Sequence, residues 1–196
     1  MSSFSEFVKD QHKHLPIVLT PRECQGATYI VTGANTGLGF ECAKHLVRLS
    51  SKRVILGVRT LRKGEEAKAK IEAETGRKGV AEVWHLDLTS YDSVKEFAKK
   101  VQGLDRVDAI IENAGVALDK WSTAEGLETT LTVNDVSTML LAVLVLPKLQ
   151  ESGKKFGILP HLVVVGSGVA FEAKGELEKI DGDILEGLNQ EINRKR

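Results

Sequence analysis

A short apolar segment that runs directly into a glycine-rich turn constrains the fold of this chain more than any other feature. The segment covers Ala27–Thr32, and the turn follows as Gly33-Ala-Asn-Thr-Gly37-Leu-Gly39. Between a strand and a helix, the first glycine permits a tight turn, the second lets a pyrophosphate approach the backbone, and the third lets the helix pack against the strand. The helix N-terminus would present N–H groups and a positive dipole end to an anion. The sequence therefore predicts a nucleotide-binding turn.

Apolar runs alternate with amphipathic stretches along the chain. Consecutive Val, Ile and Leu residues are typical of parallel strands covered on both faces, and wider apolar spacing is typical of helices. The predicted strands are Ala27–Thr32, Arg53–Val58, Ala81–Leu86, Val107–Ile111 and His161–Val165. The predicted helices are Leu38–Ser50, Leu61–Thr75, Ser90–Val101 and Glu125–Glu151. This alternation predicts an α/β fold, a Rossmann-like doubly wound parallel sheet of about five strands in the order 3-2-1-4-5, because crossovers are right-handed.

The composition favours one domain without a nucleic-acid partner. The chain has 196 residues, and its 27 basic residues balance its 27 acidic ones, so no strongly basic surface is expected. We expect residues 1–25 to form an N-terminal arm and residues 26–196 to form a single dinucleotide-binding domain. Cys24 and Cys42 lack metal-ligand spacing and are interpreted as packing residues. His12 and His14 of the arm are likewise assigned no metal.

Nothing in the sequence indicates a membrane partner. The longest apolar run, Met139–Leu146, is far shorter than the ~20 residues that cross a bilayer. The N-terminus has no apolar core of a signal peptide. We therefore expect a cytoplasmic protein that acts on a small molecule.

Five motifs occur in an order that points to one family. The turn has the spacing Gly-x-x-x-Gly-x-Gly, Leu86-Asp87-Leu88 closes the third predicted strand, and Asn113-Ala114-Gly115 closes the fourth. Asn134 lies in the fourth predicted helix, and Ser167 follows the fifth predicted strand. In these features the chain resembles the short-chain dehydrogenase/reductase family.

The resemblance implies a dinucleotide site and two catalytic residues. In the family the asparagine holds a water relay and the serine positions the substrate oxygen, roles that fall here on Asn134 and Ser167. The arm, with Phe4, Phe7 and Gly26, is most similar to fungal, retinol-dehydrogenase-like members, which suggests a substrate from secondary metabolism. The implied cofactor-binding residues are Gly33, Asn35, Thr36, Gly37, Leu38, Gly39, Arg59, Arg62, Asp87, Leu88, Asn113, Ala114 and Gly115.

The charges after the second predicted strand favour NADP(H) over NAD(H). A carboxylate at this position binds the ribose 2′-hydroxyl of NAD, whereas the 2′-phosphate of NADP requires a cation. The strand is followed by Arg59 and Arg62, and the first acid is Glu65. Cations at a helix N-terminus oppose the helix dipole, so an anionic ligand accounts for them.

The family's tyrosine and lysine, spaced Tyr-x-x-x-Lys after the serine, have no counterpart in these 196 residues. Tyr29 lies in the first predicted strand, and the sequence Tyr91-Asp-Ser-Val-Lys95 has the right spacing but follows the third strand, far too early in the chain. Two further departures are Glu112 before Asn-Ala-Gly and Gly166 in place of a serine. A base role for Glu112 is a minor alternative to a solvated or paired acid.

The chain resembles the first two thirds of a complete family member. It would lack the last strands of the fold, which leaves His161–Val165 at an open edge of the sheet and invites pairing with another molecule, such as a second copy. We expect an NADP-dependent oxidoreductase that acts on a carbonyl or alcohol group. Two alternatives stay open, a non-redox isomerase or cyclase and a non-catalytic pairing protein.

Overall fold

A parallel sheet forms the centre of the structure, which is a computed structural model. The structure describes residues 8–9, 12–14, 16, 18–168, 175 and 177–190. In chain order the strands are β1 (Thr28–Thr32), β2 (Arg53–Val58), β3 (Ala81–His85), β4 (Ala109–Glu112), β5 (Thr123–Ala124), β6 (Leu127–Glu128) and β7 (His161–Val164), of which β5 and β6 form a separate short hairpin. The five-stranded sheet has the order β3-β2-β1-β4-β7, and β5 pairs with β6. All pairs within the five-stranded sheet are parallel. The predicted fold and strand order are therefore confirmed.

Helices connect the strands and cover both faces of the sheet. They are α1 (Pro21–Cys24), α2 (Gly37–Arg48), α3 (Leu61–Thr75), α4 (Tyr91–Gln102), α5 (Thr129–Leu131), α6 (Thr138–Phe156) and α7 (Ile184–Leu188). A π-helical segment, Thr132–Ser137, joins α5 to α6, and a 3-10 turn, Leu177–Lys179, precedes α7. Residues of α2 and α3 pack with one face of the sheet, and residues of α4 and α6 pack with the other.

The two faces of the sheet follow from the alternation of side chains along each strand. Ile30 of β1 is in register with Ile55 of β2 and with Ile110 of β4, and all three pack in the cluster beneath α4 and α6. Val31 and Leu56, one position further along, belong to the opposite cluster beneath α2 and α3. Both faces are therefore apolar, which explains the unbroken hydrophobic runs of these strands.

The predicted fourth helix, Glu125–Glu151, begins too early and ends too early. Glu125 and Gly126 both adopt positive φ, 54° and 83°, and this geometry closes the hairpin between β5 and β6. The helical stretch begins only after that hairpin, and α6 continues to Phe156, where Gly157 takes a left-handed cap. The positive φ of Glu125, which is uncommon outside glycine, is the part that the sequence pattern does not reveal.

Strand β7 forms an edge of the described sheet. Val163, Val164 and Val165 are each 44% exposed. The N–H groups of His161 and Val165 donate to carbonyls beside and in β4, so in a parallel ladder the N–H groups of Leu162 and Val164 point away from β4. The open edge that the sequence predicts is therefore present in the described part of the chain.

The helical stretch Thr129–Phe156 is long and apolar enough to cross a membrane by length and composition, although half of its apolar window is buried inside the protein. Leu141, Val145 and Leu149 of this stretch pack with Ile110 of the sheet. Contact with the sheet therefore accounts for much of its apolar character.

Candidate functional site

A cleft of about 280 Å³ opens at the carboxyl edge of the sheet. It is lined by Gly33, Asn35, Thr36, Gly57, Arg59, Leu86, Asp87, Leu88, Thr89, Asn113, Ala114, Gly115, Val116 and Val133. Most of the residues that the motifs indicate as cofactor-binding are in this lining. The exceptions are Gly37, Leu38, Gly39 and Arg62, of which the first three form the start of α2 beside it.

The glycine turn shapes one wall of the cleft. Gly33 has a φ of +66°, and a Cβ there would lie 2.9 Å from the Cα of Ala114, so a larger residue would push two strand ends apart. Gly39 packs directly against the carbonyl of Gly33, where an added Cβ would lie at 2.7 Å. Gly37 differs from both, because its φ is +59° and nothing lies within 4 Å of a Cβ placed there. Its backbone faces open space at the start of α2.

The start of α2 is available to an anion. Its N-cap, Thr36, makes no side-chain capping hydrogen bond, and no acidic residue lies in the first turn. Thr36, Gly37 and Leu38 are exposed. The free N–H groups of a 12-residue helix therefore begin at an exposed turn beside the cleft, where the helix dipole favours an anion.

Thr32 joins the glycine turn to the loop Asn113-Ala114-Gly115, which forms the floor of the cleft. The motifs do not indicate this role. Its Oγ1 accepts hydrogen bonds from the backbone N–H groups of Asn113, at 3.0 Å, and Ala114, at 2.9 Å. Asn113 Nδ2 in turn donates to the carbonyl of Thr32 at 3.0 Å. A buried threonine at the end of β1 thus holds the Asn-Ala-Gly loop against the glycine turn.

Asp87 is fixed by its own turn at the end of β3. Its Oδ1 accepts from the N–H of Thr89, at 2.9 Å, and from Thr89 Oγ1, at 2.7 Å. Ser93 Oγ receives the N–H of Asp87 at 2.9 Å. These contacts hold the loop from Asp87 to Thr89 along the cleft.

Arg59 and Arg62 have different environments. Arg59 lines the cleft, and no acid of the described residues pairs with it. Arg62 lies outside the lining, at the second position of α3, and its side chain is 76% exposed in an ion pair with Glu66. Of the two cations that the sequence proposes for a phosphate, the structure therefore brings only Arg59 into the cleft.

The two residues predicted to be catalytic also differ. Asn134 lies in the π-helical segment, and its amide makes hydrogen bonds of 2.8 Å to both the N–H and the carbonyl of Val116, a residue of the cleft lining. Ser167 is exposed and lies three residues after the end of β7, outside the lining. The structure thus couples Asn134 to the cleft through Val116 and does not bring Ser167 into it.

Glu112 is buried and does not line the cleft. Only 3% of its surface is exposed, and its two carboxyl oxygens have no hydrogen-bond partner among the described residues. Burial raises the pKa of Glu112 to about 8, so the group is neutral at pH 7. An acid enclosed in this way has no direct access to a substrate, which leaves little support for the alternative of a base.

Within the described ranges, no group of three or more His, Cys, Asp and Glu side chains could hold a metal ion. Cys24 is buried and Cys42 half-buried, and both are free. Gly57, Thr89, Val116 and Val133 line the cleft without belonging to any motif, and Leu86 belongs to the Leu86-Asp87-Leu88 motif but is not among the residues predicted to bind the cofactor. Of these residues, only Gly57 and Leu86 lie next to the end of a strand, where a place in the cleft could have been anticipated.

The sequence is similar to a family model and to several curated proteins. A family model for short chain dehydrogenase matches residues 27–175. The short chain dehydrogenase atnD of Emericella nidulans is 44% identical over 168 residues, which cover 85% of this chain and 53% of that protein. The short chain dehydrogenase/reductase dmxR8 of Cryptosporiopsis sp. is 42% identical over 174 residues, or 87% of this chain and 54% of that protein. The chain thus spans about half the length of the curated relatives it matches.

The structure of this chain is also similar to solved structures of other proteins. A short-chain dehydrogenase from Sphingobium yanoikuyae in complex with NADPH has a TM-score of 0.64 and 27% identity, and the match covers 76% of this chain and 56% of that one. The oxidoreductase yciK from Escherichia coli has a TM-score of 0.62 and 26% identity, and the match covers 77% and 62% of the two chains.

Proposed function

We propose that this chain, which belongs to the short-chain dehydrogenase family, binds NADP(H) in the cleft and serves oxidoreduction of a carbonyl or alcohol group. The observation that carries the proposal is that a cation with no acidic partner among the described residues, Arg59, lines the same cleft as the glycine turn. The NADPH complex of the Sphingobium yanoikuyae enzyme supports the same choice of cofactor. The resemblance to fungal members of the family leads us to propose a substrate from secondary metabolism, and the two curated relatives named above also come from fungi.

The residues present fit such a cofactor. The uncapped start of α2 and the open space at Gly37 suit a pyrophosphate. Arg59 suits a 2′-phosphate, because the phosphate oxygens accept its N–H groups and neutralise its charge. Asp87 and Leu88 would lie against the adenine, and Asn113, Ala114 and Gly115 would form the floor beneath the dinucleotide. When bound, NADP(H) supplies or accepts the hydride.

The protein's own part is to bind and to orient. Thr32 fixes the position of the floor of the cleft, because its hydroxyl accepts hydrogen bonds from the backbone N–H groups of Asn113 and Ala114. Asn134 holds Val116 at the side of the cleft, and we propose that it orders the water relay that the family places there. Ser167 would have to move inward from its exposed position to contact a substrate oxygen.

Proton transfer is not assigned to a tyrosine of residues 1–196. The hydroxyl of Tyr29 donates to Cys24 Sγ at 3.6 Å in the core, and Tyr91 begins α4 with its N–H bonded to Glu125. Lys95, which shares the spacing of the family's lysine, pairs with Asp92 on the surface. We propose that the described part of the chain builds the cofactor half of the site.

The test is titration of the purified chain with NADPH, followed by nicotinamide fluorescence and by thermal shift. Saturable binding with a rise in melting temperature is expected, together with weaker binding of NADH. A folded chain that binds neither dinucleotide would remove the proposal. Equal affinity for both would leave a dinucleotide site and overturn the choice of NADP(H).

A second proposal concerns association through β7. The strand is apolar, lies at the edge of the described sheet and has no lysine or proline within it to discourage pairing. We propose that this edge pairs with a second copy of the chain. Measurement of mass against concentration distinguishes a self-associating chain from a monomer.

A further inference from the structure

Three buried polar atoms without a partner lie near the cleft. Among the described residues, the buried side-chain atoms that lack a hydrogen-bond partner are Glu112 Oε1, Glu112 Oε2 and Ser137 Oγ. Glu112 is 3% exposed and Ser137 is 0% exposed. Buried polar groups nearly always have a partner, since an orphaned donor or acceptor costs about 1–3 kcal/mol. These atoms therefore need an explanation.

The two residues belong to the same layer of the core. Glu112 follows Ile110 by two positions in β4, so both side chains leave the same face of the sheet. Ser137 lies four residues after Val133 and four before Leu141, and all three are buried. Val133 and Leu141 pack in one cluster with Ile110. Glu112 on β4 and Ser137 in the π-helical segment thus both face the space between the sheet and the helical stretch Thr129–Phe156.

No charge in this layer balances an ionised Glu112. Burial alone accounts for the raised pKa of Glu112. Of the titratable groups on the elements that pack against β4, Tyr29 of β1 belongs to the opposite cluster, and His161 of β7 and Asp135 of the π-helical segment are exposed. On α6, Lys148 is buried but pairs with Glu151, and the other charged residues are exposed. The carboxyl group therefore stays protonated at neutral pH and offers one O–H donor and a carbonyl acceptor.

We propose that neutral Glu112 and Ser137 together bind one internal water molecule, which ties the end of β4 to the helix that carries Asn134. An internal water typically makes about three hydrogen bonds to buried polar groups that lack other partners. The carboxyl group and the hydroxyl can each both donate and accept, so the water can satisfy all three orphaned atoms.

The consequence is a link between two sides of the cleft. Glu112 directly precedes Asn113, and Ser137 follows Asn134 by three residues. Neither Glu112 nor Ser137 lines the cleft, so both act as positioning residues. The site would exist in the chain alone, whether or not the cleft takes NADP(H).

Infrared spectroscopy of the chain without cofactor tests the proposal. At about pH 6, below the raised pKa of Glu112, a protonated carboxyl band is expected in the native chain and absent from Glu112→Gln. Ser137→Ala should move this band to the frequency of a less hydrogen-bonded carboxyl. It should also raise the proton affinity of Glu112 by about threefold or more, read as the pH at which the band disappears, because the lost partners also solvate the carboxylate.

Ser152→Ala is the matched control. Ser152 lies on α6 and is buried like Ser137, but its hydroxyl already accepts a hydrogen bond from the N–H of Val107 at 2.9 Å. Neither the band nor its pH midpoint should therefore move. Absence of the band from the native chain would overturn the neutral acid. A band that responds alike to the two serine substitutions would overturn the shared water.

Two readouts keep this outcome separate from the cofactor proposal. The infrared measurement uses the chain alone, so a failure to bind NADPH in a separate titration leaves it readable. If Glu112→Gln does not fold, the loss of the band with rising pH in the native chain and the Ser137→Ala spectrum still decide the matter.

Discussion

Asn134 and Val116 hold each other through a pair of hydrogen bonds, one in each direction. The N–H of Val116 donates to Oδ1 of Asn134, and Nδ2 of Asn134 donates to the carbonyl of Val116, both at 2.8 Å. An amide side chain carries both a donor and an acceptor, so it satisfies both halves of a peptide unit without a charge. The pair ties the π-helical segment to the lining of the cleft.

Replacing Asn134 should therefore loosen the cleft as well as the fold. Asn134→Ala removes both hydrogen bonds and should lower the free energy of unfolding by about 1–3 kcal/mol, measured by urea denaturation. Asn134→Asp keeps the acceptor for Val116 N–H and loses the donor. An Asp variant as stable as the native chain would show that the bond to the carbonyl contributes nothing.

Arg59 should determine the preference for NADPH. Arg59→Asp is expected to weaken NADPH binding by about 10- to 100-fold, since a charge-assisted hydrogen bond contributes about 1.5–3 kcal/mol. NADH, which has no 2′-phosphate, should bind about as before or better. Arg62→Asp is the control, because Arg62 already pairs with Glu66 outside the cleft. Fluorescence titrations that show equal losses for the two variants would contradict the assignment to Arg59.

Gly37 should be required for the phosphates and not for the fold. Gly37 and Gly76 both have positive φ, +59° and +70°, and both face open space. An alanine at either position should therefore lower the free energy of unfolding by about 1–2 kcal/mol through backbone strain. Gly37→Ala should in addition weaken NADPH binding by about tenfold, because its methyl group occupies the approach to the backbone. Gly76→Ala, at the end of α3, should bind NADPH normally. Matched affinities in the two variants would count against an anion at the turn.

Glu112 should make the stability of the chain depend on pH. Its pKa is about 8 in the folded state and about 4.3 in an unfolded chain, so between these values the folded state binds more protons. The free energy of unfolding should therefore fall as pH rises through this window, by at most about 1.4 kcal/mol per pH unit, and level off above it. Glu112→Gln should flatten the profile, measured by urea denaturation from acid to alkaline pH. Parallel profiles for the two proteins would show that Glu112 ionises normally.

The edge of the sheet should promote association. The mass of the native chain in sedimentation experiments is expected to rise with concentration, and Val164→Lys should shift it toward the monomer, because a lysine on an edge strand discourages pairing. Val18→Lys is the control, since Val18 is 83% exposed but lies outside the sheet. A native chain that stays monomeric at every concentration would exclude pairing through β7.

The sequence predicts the sheet well because the strands are apolar on both faces. Residues such as Ile55 and Leu56 leave no polar position that could be turned to solvent, so their place in the middle of a covered sheet follows directly. The glycine spacing identifies the turn for a similar reason, since Gly33 and Gly39 sit where a Cβ would collide with the backbone.

The rest depends on contacts between distant segments. In the sequence Thr32 looks like an ordinary strand residue. Its hydroxyl nevertheless accepts hydrogen bonds from two backbone N–H groups that lie 81 and 82 positions further along the chain. Arg59 and Arg62 look equivalent in the sequence and differ only because α3 turns the second away, toward Glu66. The hairpin at Glu125 escapes prediction because a non-glycine residue adopts the left-handed conformation there.

The π-helical segment Thr132–Ser137 implies that the helix holds one residue more than a regular ladder would accommodate. A helix that gave up that residue would gain regular hydrogen bonds, but every position before it would rotate by about 100° relative to α6. Asn134 would then swing away from Val116 while Leu141 kept its place in the core. The π-helical segment thus changes the direction in which the side chains of one continuous helix point. Residues after it pack in the core, and Asn134 within it contacts the cleft.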